Sequence, residues 1–119
     1  MEEEQSDLGN AQAQMNQYVH HVEEAIIASG PEEMRRHVAE AMPFGVAAAD
    51  NLEDALSETE DPEAADRIEE AMHHLGLSMD HGDQALEAPD DEVENFLSEM
   101  QKHALQSASF VGELVSAAT

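Results

Sequence analysis

The chain has 119 residues, 28 of them Asp or Glu against 4 Lys and Arg, a formal net charge of −24 and no cysteine. One domain fits that length, and 41% hydrophobic residues in a periodic pattern supply a modest core, which argues against wholesale disorder. Arg35, Arg36, Arg67 and Lys102 cannot neutralise a phosphate backbone, so nucleic acid and anionic membrane are poor partners, and a cysteine-free chain has no disulfide framework, thiolate nucleophile or zinc ribbon.

After a short tail over residues 1–5, the first predicted helix runs from about Gln5 to Ser29, where Gly30 ends it. Pro31 opens the second at a first-turn position followed by Glu32 and Glu33, and this helix runs to about Glu58. Pro43, with Gly45 close behind, predicts a kink or a break in it after about Met42. Asp61-Pro62-Glu63 reads as N-cap, N1 and acidic first turn of a third helix lasting to about Glu87. Pro89 closes it, and Asp90, Asp91 and Glu92 start a fourth that runs to near the C-terminus.

Apolar spacing fits these boundaries. Met15, Tyr18, Val19, Val22, Ala25 and Ile26 form one stripe, and Met34, Val38, Met42, Ala49, Leu52 and Leu56 the next. Ile68, Met72, Leu75, Met79 and Leu86 mark the third helix, and Val93, Leu97, Met100, Ala104, Val111 and Leu114 the fourth. Segments of similar length joined by very short turns run antiparallel, so the expected fold is a single all-α domain over 1–119, an up-down-up-down four-helix bundle with its second helix kinked near Pro43. With Tyr18, Phe44, Phe96 and Phe110 as the sole aromatics, its core rests on small residues and Met. Val38-Ala39-Glu40-Ala41-Met42 recurs as Ile68-Glu69-Glu70-Ala71-Met72, the reading of a duplicated helical hairpin.

Such an excess of acid weakens a fold through self-repulsion unless salt screens it over about 3 Å, as it does near 1 M. The composition therefore resembles that of proteins from salt-in halophiles, and most of the carboxylates are read as solubility surface. No apolar run approaches the roughly 20 residues of a membrane span, and the acidic start MEEEQSD lacks a secretory n-region; the expected setting is cytoplasmic.

Seven histidines beside so few Lys and Arg are the feature that salt adaptation does not demand. With Ile68, Leu75 and Gly82 at heptad a, His74 and His81 fall at g beside the core, as do His21 and His37 in their helices. His20 and His73 point outward at f, and His103 is placed at d, between Phe96 and Phe110. Counted from the end holding the first and third turns, His21, His37 and His81 share a layer about 9–12 Å down, and His74 and His103 a second at about 18–21 Å. Since g faces g across an antiparallel interface, either His21 meets His37 or His37 meets His81. Two imidazoles and a carboxylate suit Cu, Zn, Ni or Fe, with Glu24, Glu33, Glu40 and Asp80 within a turn.

The phrases His21-Val22-Glu23-Glu24-Ala25-Ile26 and His37-Val38-Ala39-Glu40-Ala41-Met42, with Asn51-Leu52-Glu53-Asp54-Ala55-Leu56 and Ile68-Glu69-Glu70-Ala71-Met72-His73-His74-Leu75, resemble the small histidine-rich metal-binding proteins of ammonia-oxidising bacteria over about residues 20–86. That resemblance implies a four-helix bundle binding several divalent metals, notably copper, with His21, His37 and His74 at matching positions and His73 adjacent. The family's second histidine is Ile27 or Phe44 here.

Other chemistries find less support. A di-iron bundle needs two inward E-x-x-H units, and only Glu70 to His73 has the spacing. Met15 and His103 share a height as a haem axial pair would, without a C-x-x-C-H attachment. Phosphotransfer would want a lysine where Gly76 stands. The expectation is thus a non-enzymatic protein that buffers or delivers a divalent transition metal. Its expected ligands are His37 with His21 or His81 and a nearby carboxylate, Glu33 or Glu40, with His74 and His103 as a second, weaker cluster. The alternative is an adaptor without ligand, dimerising or meeting a partner through the weakly charged stretch Phe110 to Ala118 of the fourth helix.

Overall fold

The computed structural model describes residues 2–118, with side chains from 7 to 117. Four helices follow in order, α1 (Glu2–Ile27), α2 (Pro31–Glu58), α3 (Pro62–Glu87) and α4 (Val93–Ala118), the last preceded by a single 3-10 turn at Asp90–Glu92. Helices of 26 to 28 residues are about 39–42 Å long at 1.5 Å per residue, matching the 46 Å long axis of a molecule only 19 by 18 Å across. All four therefore lie along one axis, and connections of three, three and five residues reverse the chain each time. Each helix packs on its two neighbours in a square, with α1 on α2 and α3 on α4 the more extensive pairs. The expected four-helix bundle is the fold. Of the expected tail over residues 1–5, Met1 lies outside the described residues and Glu2 onward is helical.

Local chemistry sets the helix ends. Asp61 caps α3 by accepting from the Glu63 backbone N–H at 3.1 Å, with Pro62 supplying a first-turn residue that has no N–H to satisfy. At the other end of the bundle Arg35 donates to the Ala88 carbonyl and to Asp90 Oδ1, both at 2.7 Å, which ties the start of α2 to the α3–α4 connection. Both of these connections therefore share one end of the molecule.

α2 runs unbroken through Pro43. A proline at that position deprives the Ala39 carbonyl of its helical donor, but Ala39 and Pro43 are both exposed, so water can supply the missing bond. The buried line Met34, Val38, Ala41, Gly45, Ala48, Leu52, Ala55 keeps its alternation of four and three residues across the proline, and that continuous packing holds the helix together.

The same alternation governs the other helices: Leu8, Ala11, Met15, Tyr18, Val22 and Ala25 in α1, and Ile68, Ala71, Leu75, Ser78, Gly82 and Ala85 in α3. Large side chains from one position meet small ones from another. A Cβ added at Gly45 would lie 2.9 Å from Tyr18 Cε1, and one at Gly82 2.9 Å from Met100 Cε, so the two glycines are the hollows that these side chains fill. Tyr18 Oη lies 2.7 Å from Ser78 Oγ, which donates to the Met100 carbonyl at 2.7 Å, so a hydrogen-bonded chain crosses the core from α1 through α3 to α4. Burial drives the Tyr18 phenol's pKa well above its ordinary value.

In α4 the bundle absorbs most of the stretch Phe110 to Ala117: Val111 and Leu114 are buried, and Phe110 and Val115 pack against the core. Among the described residues, the large apolar side chains left exposed are Ile27, Val46 and Leu105, none of them in that stretch. No described helix is long and apolar enough to cross a membrane.

Candidate metal centre

Polar side chains beside a heptad core occupy the groove between neighbouring helices, and in this bundle the two extensive interfaces carry imidazole and phenyl rings there. Between α1 and α2, the His21 ring stacks on Phe44 with centroids 5.3 Å apart and planes 12° from parallel. Stacking on a ring held by its own helix fixes the imidazole plane. Of the two pairings open to the heptad pattern, His21 with His37 is the one formed: His21 Nδ1 and His37 Nδ1 each lie 3.6 Å from the same atom, Glu40 Oε2. His37 and Glu40 are three residues apart, which puts them on one face of α2, and α1 delivers His21 to that face.

Neither Nδ1 atom makes a hydrogen bond, although both are buried. A separation of 3.6 Å is too long for an N–H···O bond, and a bare nitrogen lone pair facing a carboxylate oxygen is repulsive. The distance is close to the edge of a ligand tetrahedron, about 3.4 Å for bonds of 2.0–2.2 Å to nitrogen and oxygen. A cation among the three atoms removes the repulsion and meets the need of both nitrogens. The imidazole side chains are 22% and 18% exposed and Glu40 is 48% exposed, so the group lies in a groove that is walled by protein but open on one side.

Along the α3–α4 interface the rings form a ladder, alternately from each helix: Phe96, His81, His103, His74, Phe110, with successive centroids 6.5, 5.5, 5.9 and 5.8 Å apart. Its existence corrects the expected place of His103. The core line of α4 is Val93, Leu97, Met100, Ala104, Ser107, Val111 and Leu114, so His103 is not at d but beside Ala104 on the flank, with Phe96 and Phe110 one heptad to either side. His81 accordingly joins His103 and Glu99, whose ligand atoms lie within 4.8 Å of one another, rather than His37. His74 stacks on the far side of His103 and lies 3.7 Å from Glu70 through Nε2.

The remaining acids stand apart from the first group. Glu33 accepts from Ser29 Oγ at 2.8 Å and from the Ser29 backbone N–H at 3.3 Å, and it pairs with Arg36 at 3.3 Å. The Ser29 hydroxyl, then its N–H, hold the Glu33 carboxyl below its ordinary pKa; this side chain closes the α1–α2 connection, and Glu40 one turn beyond His37 takes the place beside the imidazoles. Glu24 pairs with exposed His20, and Asp80 and His73 are exposed. Met15 is buried in the core whereas His103 lies on the α3–α4 flank, which does not favour the haem reading. Glu99 is not among the ligands expected from the sequence, although its position four residues before His103 is a signal on any helix, and neither are the phenyl rings among the expected partners of the imidazoles.

Comparison of the chain with protein-family models, curated proteins and solved structures finds no match.

Proposed function

We propose that this protein is a non-enzymatic carrier or buffer for a divalent transition metal ion, held between α1 and α2 by His21 Nδ1, His37 Nδ1 and Glu40. The observation that supports this most is the convergence of two buried, hydrogen-bond-free imidazole nitrogens on one carboxylate oxygen at 3.6 Å each. Two nitrogens and one oxygen from a cysteine-free chain fit Zn, Cu, Ni or Fe, with zinc well served by three protein ligands and an open position. The partial exposure of the groove lets an ion enter and leave, which suits holding and handing on. A net charge of −24 raises the cation concentration around the molecule without choosing among cations, and the choice falls to the imidazoles. The acidic surface further supports a working environment rich in salt, where diffuse attraction is screened and ligation persists.

The test is competition with a chromophoric chelator for zinc at neutral pH in about 1 M KCl, a salt at which the Debye length is near 3 Å. The intact chain is expected to hold zinc stoichiometrically, and His37→Ala and Glu40→Gln to weaken the α1–α2 site by at least 10-fold. Unchanged zinc affinity at that site in His37→Ala would overturn the assignment.

A further inference from the structure

The ring ladder of the other hairpin carries a second donor set, and its hydrogen bonds differ in kind from those of the first. His81 Nδ1 lies 3.0 Å from Gln84 Oε1, and His103 Nδ1 lies 3.2 Å from Gln106 Oε1. Each glutamine stands three residues beyond its histidine on the same helix, where the side chains meet. A carbonyl oxygen only accepts, so each Nδ1 carries the proton, and the lone pair of the neutral ring is confined to Nε2. His103 Nε2 lies 3.8 Å from Glu99 Oε2. One ligand atom from each of His81, Glu99 and His103 falls within 4.8 Å of the others. Ring stacking holds the imidazoles from both sides, with Phe96 beyond His81 and His74 beyond His103, and the two central planes are 6° from parallel.

Fixing the tautomer and plane of a histidine by a hydrogen bond to its far nitrogen is what the outer shell of a metal site does. We propose that the α3–α4 groove is a second transition-metal site, ligated through Nε2 of His81 and His103 and through Glu99, with Gln84 and Gln106 as positioning residues that hold both rings in the Nδ1–H form. It is built in the opposite sense to the α1–α2 site, where the free nitrogens are Nδ1. The protein then carries two ions per chain, one on each hairpin, on ligands that share no residue. Either assignment can fail while the other stands.

The experiment is zinc titration of the full chain in about 1 M KCl, read by calorimetry for stoichiometry and by imidazole nitrogen NMR shifts for the ligating atom. Two ions are expected, with His81 and His103 showing protonated Nδ1 before zinc is added and a shift at Nε2 on loading. His103→Ala is expected to remove one ion and leave the His37-dependent one, and His37→Ala to do the converse. Replacing Gln84 and Gln106 together by Met leaves all three ligands in place and is expected to weaken only the second ion, by about 10- to 100-fold. An intact chain that binds only one ion, lost in His37→Ala, or two ions retained in His103→Ala, would overturn the second site and leave the first intact. Should either alanine variant fold poorly, the shifts of the unaltered chain decide: Nε2 of His81 and His103 unmoved by two equivalents of zinc contradicts the proposal.

Discussion

Ser78→Ala removes one oxygen from the centre of the bundle, and its cost follows from where the protons are. Ser78 is fully buried and spends its single hydroxyl proton on the Met100 carbonyl, so the Tyr18 hydroxyl is the donor in the 2.7 Å bond to Ser78 Oγ. Taking Oγ away strands that phenol where no water reaches it, since Tyr18 is 0% exposed. A buried donor left without a partner costs about 1–3 kcal/mol, whereas the Met100 carbonyl, in mid-helix, keeps its backbone donor and adds little. Tyr18→Phe deletes the same bond from the other side but leaves Ser78 satisfied by Met100, and the expected loss is about 0.5–1.5 kcal/mol. In the Tyr18→Phe background nothing is stranded by Ser78→Ala, which then costs under about 1 kcal/mol, so the two substitutions couple. Urea unfolding followed by helical circular dichroism, at one fixed salt concentration, measures all four corners of the cycle. Ser78→Ala costing no more than Tyr18→Phe, or strictly additive losses, would refute the proton assignment.

The two core glycines predict different tolerances. Gly45→Ala meets the edge of the Tyr18 ring at 2.9 Å and is expected to destabilise by about 1–3 kcal/mol, whereas Gly82→Ala meets the movable ends of Met100 and Met42, at 2.9 and 3.1 Å, and stays within about 1 kcal/mol of the parent in thermal or urea unfolding. Gly76 has nothing within 4 Å of an added Cβ, so Gly76→Ala gains helix propensity and is expected to stabilise by about 0.5–1 kcal/mol. The Tyr18 phenol has a higher pKa folded than unfolded, so its contribution is complete below the ordinary value of 10.0 and is lost as pH rises beyond it. Since the chain has one tyrosine, tyrosinate absorbance is expected to appear together with loss of helicity above that pH, and ionisation at pH 10 with helicity intact would contradict this.

Much of the architecture is written in the spacing of apolar residues and in the punctuation between them. Gly30-Pro31, Asp61-Pro62 and Pro89 mark the three connections because each fixes a backbone requirement locally. What the pattern hid was which line faces the axis. Met42, Met72, Met79 and Leu86 drew attention as large apolar side chains, yet they flank the core, and Ala41, Gly45, Ala71, Ser78, Gly82 and Ala85 occupy it. Close helix approach favours small residues there, and size is a poor guide to depth in such a bundle. The same misjudgement put His103 at d, although Met100 and Ala104, already in the stripe, imply the flank for it. Across the interfaces, His21 with His37 was one of two pairings that the heptad pattern allowed, because the arrangement of α2 between its neighbours is a tertiary property with no local signal. Glu33 looked equivalent to Glu40 in spacing from His37, and Ser29, on the other side of a turn, is what engages it.

On the proposed function, histidine nitrogens and not the diffuse acidity of the surface select the metal. Calorimetric titration of zinc into the intact chain in about 1 M KCl, at pH 7.5 and again at pH 5.5, tests it most directly, because imidazole ligates only when neutral and its ordinary pKa of about 6.5 lies between the two. Tight stoichiometric binding at the higher pH that falls by at least 10-fold at the lower is the predicted result. Binding that vanishes in salt at both pH values, or that is equally strong at both, would contradict it.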